Sequence, residues 1–131
     1  MNALYKILVV GAGGFFGAGC RYMFYILLAS HSAKHGWPYA TLTVNVLGSA
    51  LIGFLAAPLA SKGEFWQLFV LAGFLGGFTT FSSFSYETLS LLHAGQLVKV
   101  FFNVILNVGL CLGSVLAGFE LYKVIFKGAV L

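Results

Sequence analysis

The chain has 131 residues, of which 60% are apolar, 17% aromatic and only 8% charged, with a formal net charge of +4. Ordinary soluble proteins carry about 25% charged residues, so this chain has too few ionisable groups to cover the surface of a water-soluble domain. We therefore predict an integral membrane protein. One crossing of the hydrocarbon core takes roughly 20 apolar residues in a helix, so the length allows at most four crossings, joined by short connections, with no attached soluble domain.

The net positive charge would suggest a nucleic-acid partner in a soluble protein, but here the lysines lie near the ends of apolar stretches. Lysines in that position are typical anchors at the lipid surface, and no nucleic-acid partner is expected. Cys20 and Cys111 lie inside apolar stretches, which does not indicate a disulfide framework. His31 and His35 have the spacing of a metal pair but lie in a predicted loop without a third ligand, so zinc binding is not indicated. The anchoring lysines are Lys6, Lys34, Lys62, Lys99, Lys123 and Lys127.

Four apolar segments follow one another along the chain and leave no linker or second domain within residues 1–131. We place them at about residues 4–29, 39–60, 65–92 and 98–126. The connections between them are short, so successive helices are expected to be antiparallel neighbours. The sequence thus predicts an all-α integral membrane protein, a single domain of four transmembrane helices.

Basic residues are divided between the two sets of alternate loops, and this division bears on the orientation of the chain. The resulting positive-inside bias is weak. Charge alone therefore permits insertion in both orientations, and two oppositely oriented copies would form a two-fold assembly. One side holds Lys6, Lys62, Lys123 and Lys127, and the other holds Lys34 and Lys99.

The third segment combines paired glycines with hydroxyl side chains at mid-span. Gly76 and Gly77 precede Thr79 and Thr80, and both residue types lower helix propensity. One interpretation is a close-packing face, since small residues are common where helices meet in membranes. The other is a broken helix, which is tolerated at membrane depth only where the irregular backbone is buried in protein or lines a cavity. The freed carbonyls of such a break could coordinate a cation.

Phe81 and Phe84 lie on one face of the third segment if a helix resumes after the break, and Phe78 would extend that row. Such a row is a packing surface in one interpretation. In the other, the positive edges of the rings stabilise a dehydrated anion without a titratable charge. The hydroxyls that could donate hydrogen bonds beside the rings belong to Thr80, Ser82 and Ser83.

Other polar side chains within the apolar segments are costly in hydrocarbon and need a reason. Asn45 has amide hydrogens that could serve either an anion or a neighbouring helix. Asn103 and Asn107 are one turn apart on segment four, and the stripe they start either joins helices or lines a path. Arg21 is either an interfacial anchor or a group that raises the anion concentration in a vestibule.

With these residues placed, the sequence closely resembles the Fluc family of bacterial fluoride channels, also called CrcB. The resemblance covers nearly the whole chain. Its most specific stretch, GFLGGFTTFSSFSYE, runs from Gly73 to Glu87. The other two are GGFFGAGCRY at residues 13–22 and GWPYATLTVNVLG at residues 36–48.

The resemblance implies an antiparallel, dual-topology homodimer in the bacterial cytoplasmic (inner) membrane, with two pores that export cytoplasmic fluoride passively and so confer fluoride resistance. It also implies a structural sodium ion (Na+), not transported, held at the dimer interface by the backbone carbonyls of Gly76 and Thr79. Segment four matches the family less tightly, so Asn107 is a plausible pore residue rather than a motif match. The residues assigned to the pore or to fluoride binding are Asn45, Phe81, Phe84, Ser82, Ser83, Asn107 and Arg21.

Two other classes of protein are compatible with four short helices. A small drug or cation exchanger would carry a membrane-embedded carboxylate in segment one, whereas the acids of this chain are Glu64, Glu87 and Glu120. A non-transporting assembly or membrane-lesion protein would show no ion selectivity and would tolerate Asn45→Ala. An enzyme is not indicated, because no nucleophile and base set or nucleotide motif occurs in the sequence.

Overall fold

A computed structural model describes residues 2–126, which are almost entirely helical and contain no strand. Helices α1 (Ala3–His35), α2 (Tyr39–Ser61) and α5 (Leu97–Ile125) are each continuous, and the stretch Glu64–His93 supplies a further crossing. All four stretches are long and apolar enough to span a membrane. The prediction of an all-α membrane protein with four transmembrane helices is confirmed.

The first half of the third crossing, helix α3, covers residues 64–78. Its central part, Gln67–Leu75, is π-helical and lies between the short α-helical turns Glu64–Trp66 and Gly76–Phe78. A π-helical stretch of this length is unusual, and such stretches occur often at functional sites. Nothing in the residue pattern of this part of the chain predicts it.

The third crossing is broken at Thr79 and Thr80, whose backbones are extended (φ −85°, ψ 159° and φ −153°, ψ 115°). Helix α4 then begins at Phe81 and ends at His93. Thr80 caps it, because its Oγ1 accepts a hydrogen bond from the N–H of Ser83 at 3.1 Å. The broken-helix interpretation of the sequence is therefore confirmed.

Helix α1 is longer than the sequence predicts. No glycine or proline occurs between the predicted end at residue 29 and His35, so the helix continues to Gly36, which is left-handed (φ 57°, ψ 43°). Lys99 of α5 donates hydrogen bonds to the His35 carbonyl at 3.2 Å and to the Gly36 carbonyl at 3.0 Å, where a cation is favourable. His31 and His35 therefore lie on a helix with ring centroids 4.6 Å apart, and not in the predicted loop.

Glycines bring α1 and α3 into backbone contact. A Cβ atom added to Gly13 or Gly17 would collide with backbone carbonyl oxygens of α3, and one added to Gly77 would lie 2.7 Å from a backbone oxygen of α1. Gly76 is exposed, and a Cβ there would meet its nearest atom only at 4.0 Å. The close-packing interpretation thus holds for Gly77, while Gly76 is not packed against another helix among residues 2–126.

The interior of the helix bundle contains polar side chains beside apolar ones such as Val44 and Leu75. Thr41 and Asn103 are 0% exposed, Asn107 is 4% and Thr80 is 6% exposed, whereas most large apolar side chains lie on the outside. Buried polar groups require partners at membrane depth, and each of these four side chains has a hydrogen-bond partner on another polar side chain. The arrangement is the one expected of a protein that is solvated by lipid.

Most charged side chains among residues 2–126 lie near helix ends, and Arg21 and Glu87 are the exceptions. Lys6 at the start of α1 forms an exposed ion pair with Glu64 at the start of α3, and Lys123 lies 2.6 Å from Glu120 near the end of α5. Lys127, which the sequence assigns as an anchor, lies outside the described residues. These positions fit the role of anchors at the membrane surface.

Candidate functional site

The break faces an open groove of about 430 Å³ between α2, α3, α4 and α5. Six of the nine residues predicted as site residues line this groove, and the break is its centre. Arg21, Ser82 and Ser83 are the three that do not. The predicted residues that line it are Asn45, Gly76, Thr79, Phe81, Phe84 and Asn107, and further lining residues include Gly48, Thr80 and Cys111.

Asn45 joins α2 to the break. Its Oδ1 accepts a hydrogen bond from the Thr80 N–H at 2.8 Å, and its Nδ2 donates to the Thr80 carbonyl at 3.0 Å. The same nitrogen donates to Asn107 Oδ1 at 3.2 Å. Asn45 thus supplies a partner for the Thr80 N–H, which the break has removed from the helix, and both of its amide hydrogens are already used within the chain.

Phe81 and Phe84 line the groove from the first turn of α4. Their ring centroids are 5.3 Å apart and their planes are tilted by 55°. Phe84 is buried at 7% exposure, whereas Phe81 is 75% exposed. Phe78 does not extend this row: it precedes the break and packs edge-on against Phe24 at 5.7 Å. Within the aromatic pair, Phe84 is therefore buried inside the chain and Phe81 lies on its surface.

Ser82 and Ser83 lie away from the Asn45 side of the break. Both hydroxyls are 3.1 Å from Thr80 Oγ1, and they line a second cavity of about 330 Å³ that Asn45 and Phe81 do not reach. The sequence places these two serines next to the aromatic pair. The rotation of α4 after the break separates them from the groove.

Arg21 reaches the break from α1. Its Nη1 donates to the Thr79 carbonyl at 3.3 Å, so the guanidinium is directed inward and does not extend to the membrane surface as an anchor would. The side chain is not part of the groove lining. It therefore places positive charge at the backbone of the break and outside the groove itself.

The carbonyls of Gly76 and Thr79 can be tested as ligands for a cation. In a continuous α-helix the Thr80 N–H would donate to the Gly76 carbonyl, but here it donates to Asn45. The Gly76 carbonyl is thus freed on an exposed face of the chain, and carbonyl oxygens suit hard cations. The Thr79 carbonyl already accepts from Arg21 and has one lone pair left.

A second polar cluster lies around Glu87 and was not assigned from the sequence. Thr41 Oγ1 donates to Glu87 Oε1 at 2.6 Å and is 2.7 Å from the Tyr25 hydroxyl. Because the hydrogen of Thr41 goes to Glu87, the Tyr25 hydroxyl must donate to Thr41. Glu87 Oε2 is buried and has no hydrogen-bond partner among residues 2–126. Thr41 is the signal that could have revealed this cluster, since it is a hydroxyl within an apolar segment.

Comparison with known proteins identifies the family of this chain. Residues 8–119 match the family model described as CrcB-like protein, Camphor Resistance (CrcB). The chain is similar to a protein of Elusimicrobium minutum named Fluoride-specific ion channel FluC, with 55% identity over 125 residues, 95% of this chain and 99% of the relative.

Two further relatives carry the same name. The protein of Clostridium perfringens is 41% identical over 129 residues, 96% of this chain and 100% of the relative. That of Methanococcus maripaludis is 44% identical over 115 residues, 86% of this chain and 92% of the relative. These names describe channels and not enzymes. The resemblance drawn from the three sequence stretches is thus confirmed, and the chain belongs to the CrcB family.

Proposed function

We propose that this protein is a fluoride-selective passive ion channel that exports cytoplasmic fluoride and so confers fluoride resistance. The observation that carries the proposal is the groove at the break, where Asn45, Asn107, Phe81 and Phe84 meet. The printed names of the relatives, fluoride-specific ion channels, support the choice of ion. Four membrane-spanning helices support a multi-pass position in the membrane, and we propose the bacterial inner membrane.

The chemistry of the groove supports conduction of a small, strongly hydrated anion. A pore for fluoride must replace the water of the ion with hydrogen-bond donors and must still release it. Ring edges at Phe81 and Phe84 offer a weak positive potential, and the groove lining contains no Lys or Arg that would trap the ion. An anion that accepts a hydrogen bond from Asn45 competes with Asn107 Oδ1 for the same amide hydrogen. At 3.2 Å, Asn107 is the most distant hydrogen-bond partner of Asn45.

We further propose an antiparallel, dual-topology homodimer with two pores. Phe81 is 75% exposed although it lines the groove, so a single chain leaves the groove open on one side. Gly76 is also exposed, and within residues 2–126 the atom nearest to a Cβ position there is 4.0 Å away. A second copy of the chain would close the groove, and the weak charge bias of the loops supports insertion in opposite orientations.

The proposed structural sodium would bind between the two copies through the carbonyls of Gly76 and Thr79. The Gly76 carbonyl, freed on an exposed face, supports this assignment, and two copies would bring together four carbonyl oxygens, two from Gly76 and two from Thr79. A sodium ion bound to carbonyl oxygens of both copies would hold the two helix breaks next to each other. Exchange of sodium for N-methylglucamine is expected to lower the unfolding temperature and the dimer fraction, and unchanged values would contradict a structural sodium.

The function is tested by ion efflux from liposomes that hold the purified protein. A potassium ionophore clamps the voltage, and fluoride and chloride electrodes record both ions from the same vesicles. Rapid fluoride loss with retained chloride is expected. Loss of both ions would contradict selectivity, and loss of neither would favour an assembly protein without transport. Fluoride movement that requires an opposing cation gradient would favour the exchanger class.

A further inference from the structure

Three asparagines and a threonine form a line of hydrogen bonds from the break to α4. Asn45 donates to Asn107 Oδ1 at 3.2 Å, and Asn107 Nδ2 donates to Asn103 Oδ1 at 3.1 Å. Asn103 Nδ2 then donates to Thr88 Oγ1 at 2.9 Å. Thr88 Oγ1 donates to the Phe84 carbonyl at 2.7 Å. We call this line of four side chains the amide ladder.

The backbone of Thr80 sets the direction of the whole amide ladder. A backbone N–H can only donate, so Thr80 N holds Asn45 Oδ1 toward the break and leaves Asn45 Nδ2 to donate onward. Asn107 must then present its oxygen to Asn45 and its amide nitrogen to Asn103. The same reasoning leaves Asn103 as the donor to Thr88. The ladder therefore has one polarity, fixed by the break itself.

Asn103 connects two walls of the groove without lining it. Asn107 and Phe84 both line the groove, whereas Asn103 does not and is 0% exposed. Its carboxamide oxygen accepts from Asn107, and its nitrogen reaches the first turns of α4 through Thr88. Removal of this side chain would leave the buried Asn107 amide with only the Asn103 backbone carbonyl, at 3.1 Å, as an acceptor.

We propose that Asn103 is a positioning residue for the anion path, an inference that rests on the proposed fluoride channel. Asn103 does not touch the ion. It holds the Asn107 amide in the orientation that the break sets, and through Thr88 it holds α4 at the level of Phe84. The reason is that a buried amide without its partner turns to find another one, because an unmade hydrogen bond is costly inside a protein.

The test measures fluoride efflux for variants that break single contacts of the ladder. Asn103→Leu keeps the approximate volume but removes donor and acceptor, and we expect efflux to slow about tenfold because a buried partner is lost. Because Asn103 acts in part through Asn107, Asn103→Leu should slow efflux by a smaller factor in the Asn107→Leu variant than in the unaltered protein. If Asn103→Leu acted only by weakening the structure, it would slow efflux by the same factor in the unaltered protein and in the Asn107→Leu variant. That outcome overturns the proposal.

A matched pair of variants keeps the inference testable if Asn103→Leu does not fold. Thr88→Val removes the hydroxyl that links Asn103 to α4, whereas Ser90→Ala removes an exposed hydroxyl with the same kind of bond, to the Tyr86 carbonyl at 2.9 Å. Thr88→Val is expected to slow efflux and Ser90→Ala to leave it unchanged.

The outcomes separate this inference from the proposed function. If the unaltered protein releases fluoride while Asn103→Leu and Thr88→Val match Ser90→Ala, only the positioning role fails. If the unaltered protein releases no fluoride, the proposed function fails and the positioning role fails with it.

Discussion

Replacing Asn45 with leucine removes the side chain that bridges α2, the break and α5 while keeping a similar volume. The change deletes hydrogen bonds to the Thr80 N–H, the Thr80 carbonyl and Asn107 Oδ1. Single interhelical hydrogen bonds in membrane proteins average about 0.6 kcal/mol, so the loss of all of them sets a lower bound of about 2 kcal/mol. Thr80 is only 6% and Asn107 only 4% exposed, so the Thr80 N–H and Asn107 Oδ1 are left without partners, whereas the Thr80 carbonyl, at the N-cap, keeps the first intrahelical bond of α4. At about 1–3 kcal/mol for each buried group, the upper bound is about 6 kcal/mol.

The assay is the free energy of unfolding in mixed micelles, measured by titration with a denaturing detergent. Thr43→Val is the matched control, because Thr43 is on the same helix and does not line the groove. We expect Asn45→Leu to lose about 2–6 kcal/mol of unfolding free energy, and the control to stay within about 0.5 kcal/mol of the unaltered protein. A loss below about 0.5 kcal/mol for Asn45→Leu would refute the assignment of Asn45 as the partner of the break.

Other substitutions probe the helix contact, the aromatic pair and the surface charges. Gly17→Ala should cost about 1–3 kcal/mol by overpacking, read as a lower unfolding midpoint, whereas Gly19→Ala should be neutral because nothing lies within 4 Å of its Cβ position. Phe81→Ile should leave the unfolding free energy of the single chain within about 0.5 kcal/mol yet slow fluoride efflux at least about tenfold, and normal efflux would remove the aromatic role. For Lys6 and Glu64, a double-mutant cycle of the unfolding free energy should give no resolvable coupling, since the pair is exposed and screened by solvent, and a clear coupling would contradict a solvent-screened pair.

Much of the architecture could be predicted from local properties of the sequence. Four crossings follow from the length of the apolar segments, and the break follows from glycines and threonines that disfavour helix at mid-span. The predicted end of α1 near residue 29 is too early, because the polar residues after Ala29 continue the helix instead of forming a loop. A helix that emerges from the membrane can continue in water until a residue such as Gly36 ends it.

The candidate site could be predicted only in part. Asn45, Asn107, Phe81 and Phe84 were named from the sequence, and they line one groove. Ser82 does not join them, because its direction depends on how far α4 rotates after the break. The role of Thr88 was not predicted, since a hydroxyl that donates to the preceding turn of its own helix looks unremarkable until Asn103 is found beside it.

The sequence by itself determined that this is a membrane protein of four crossings with a break in the third, and it identified the family. These conclusions depend on composition, segment length and local propensity, which are properties of neighbouring residues. Only the tertiary structure decided that both amide hydrogens of Asn45 are used inside the chain, that Arg21 contacts the Thr79 carbonyl, and that Asn103 is buried. Such contacts depend on how helices that are distant in the chain are rotated and spaced relative to each other. Glycine contacts between the helix backbones set that geometry, and no single segment of the sequence specifies it.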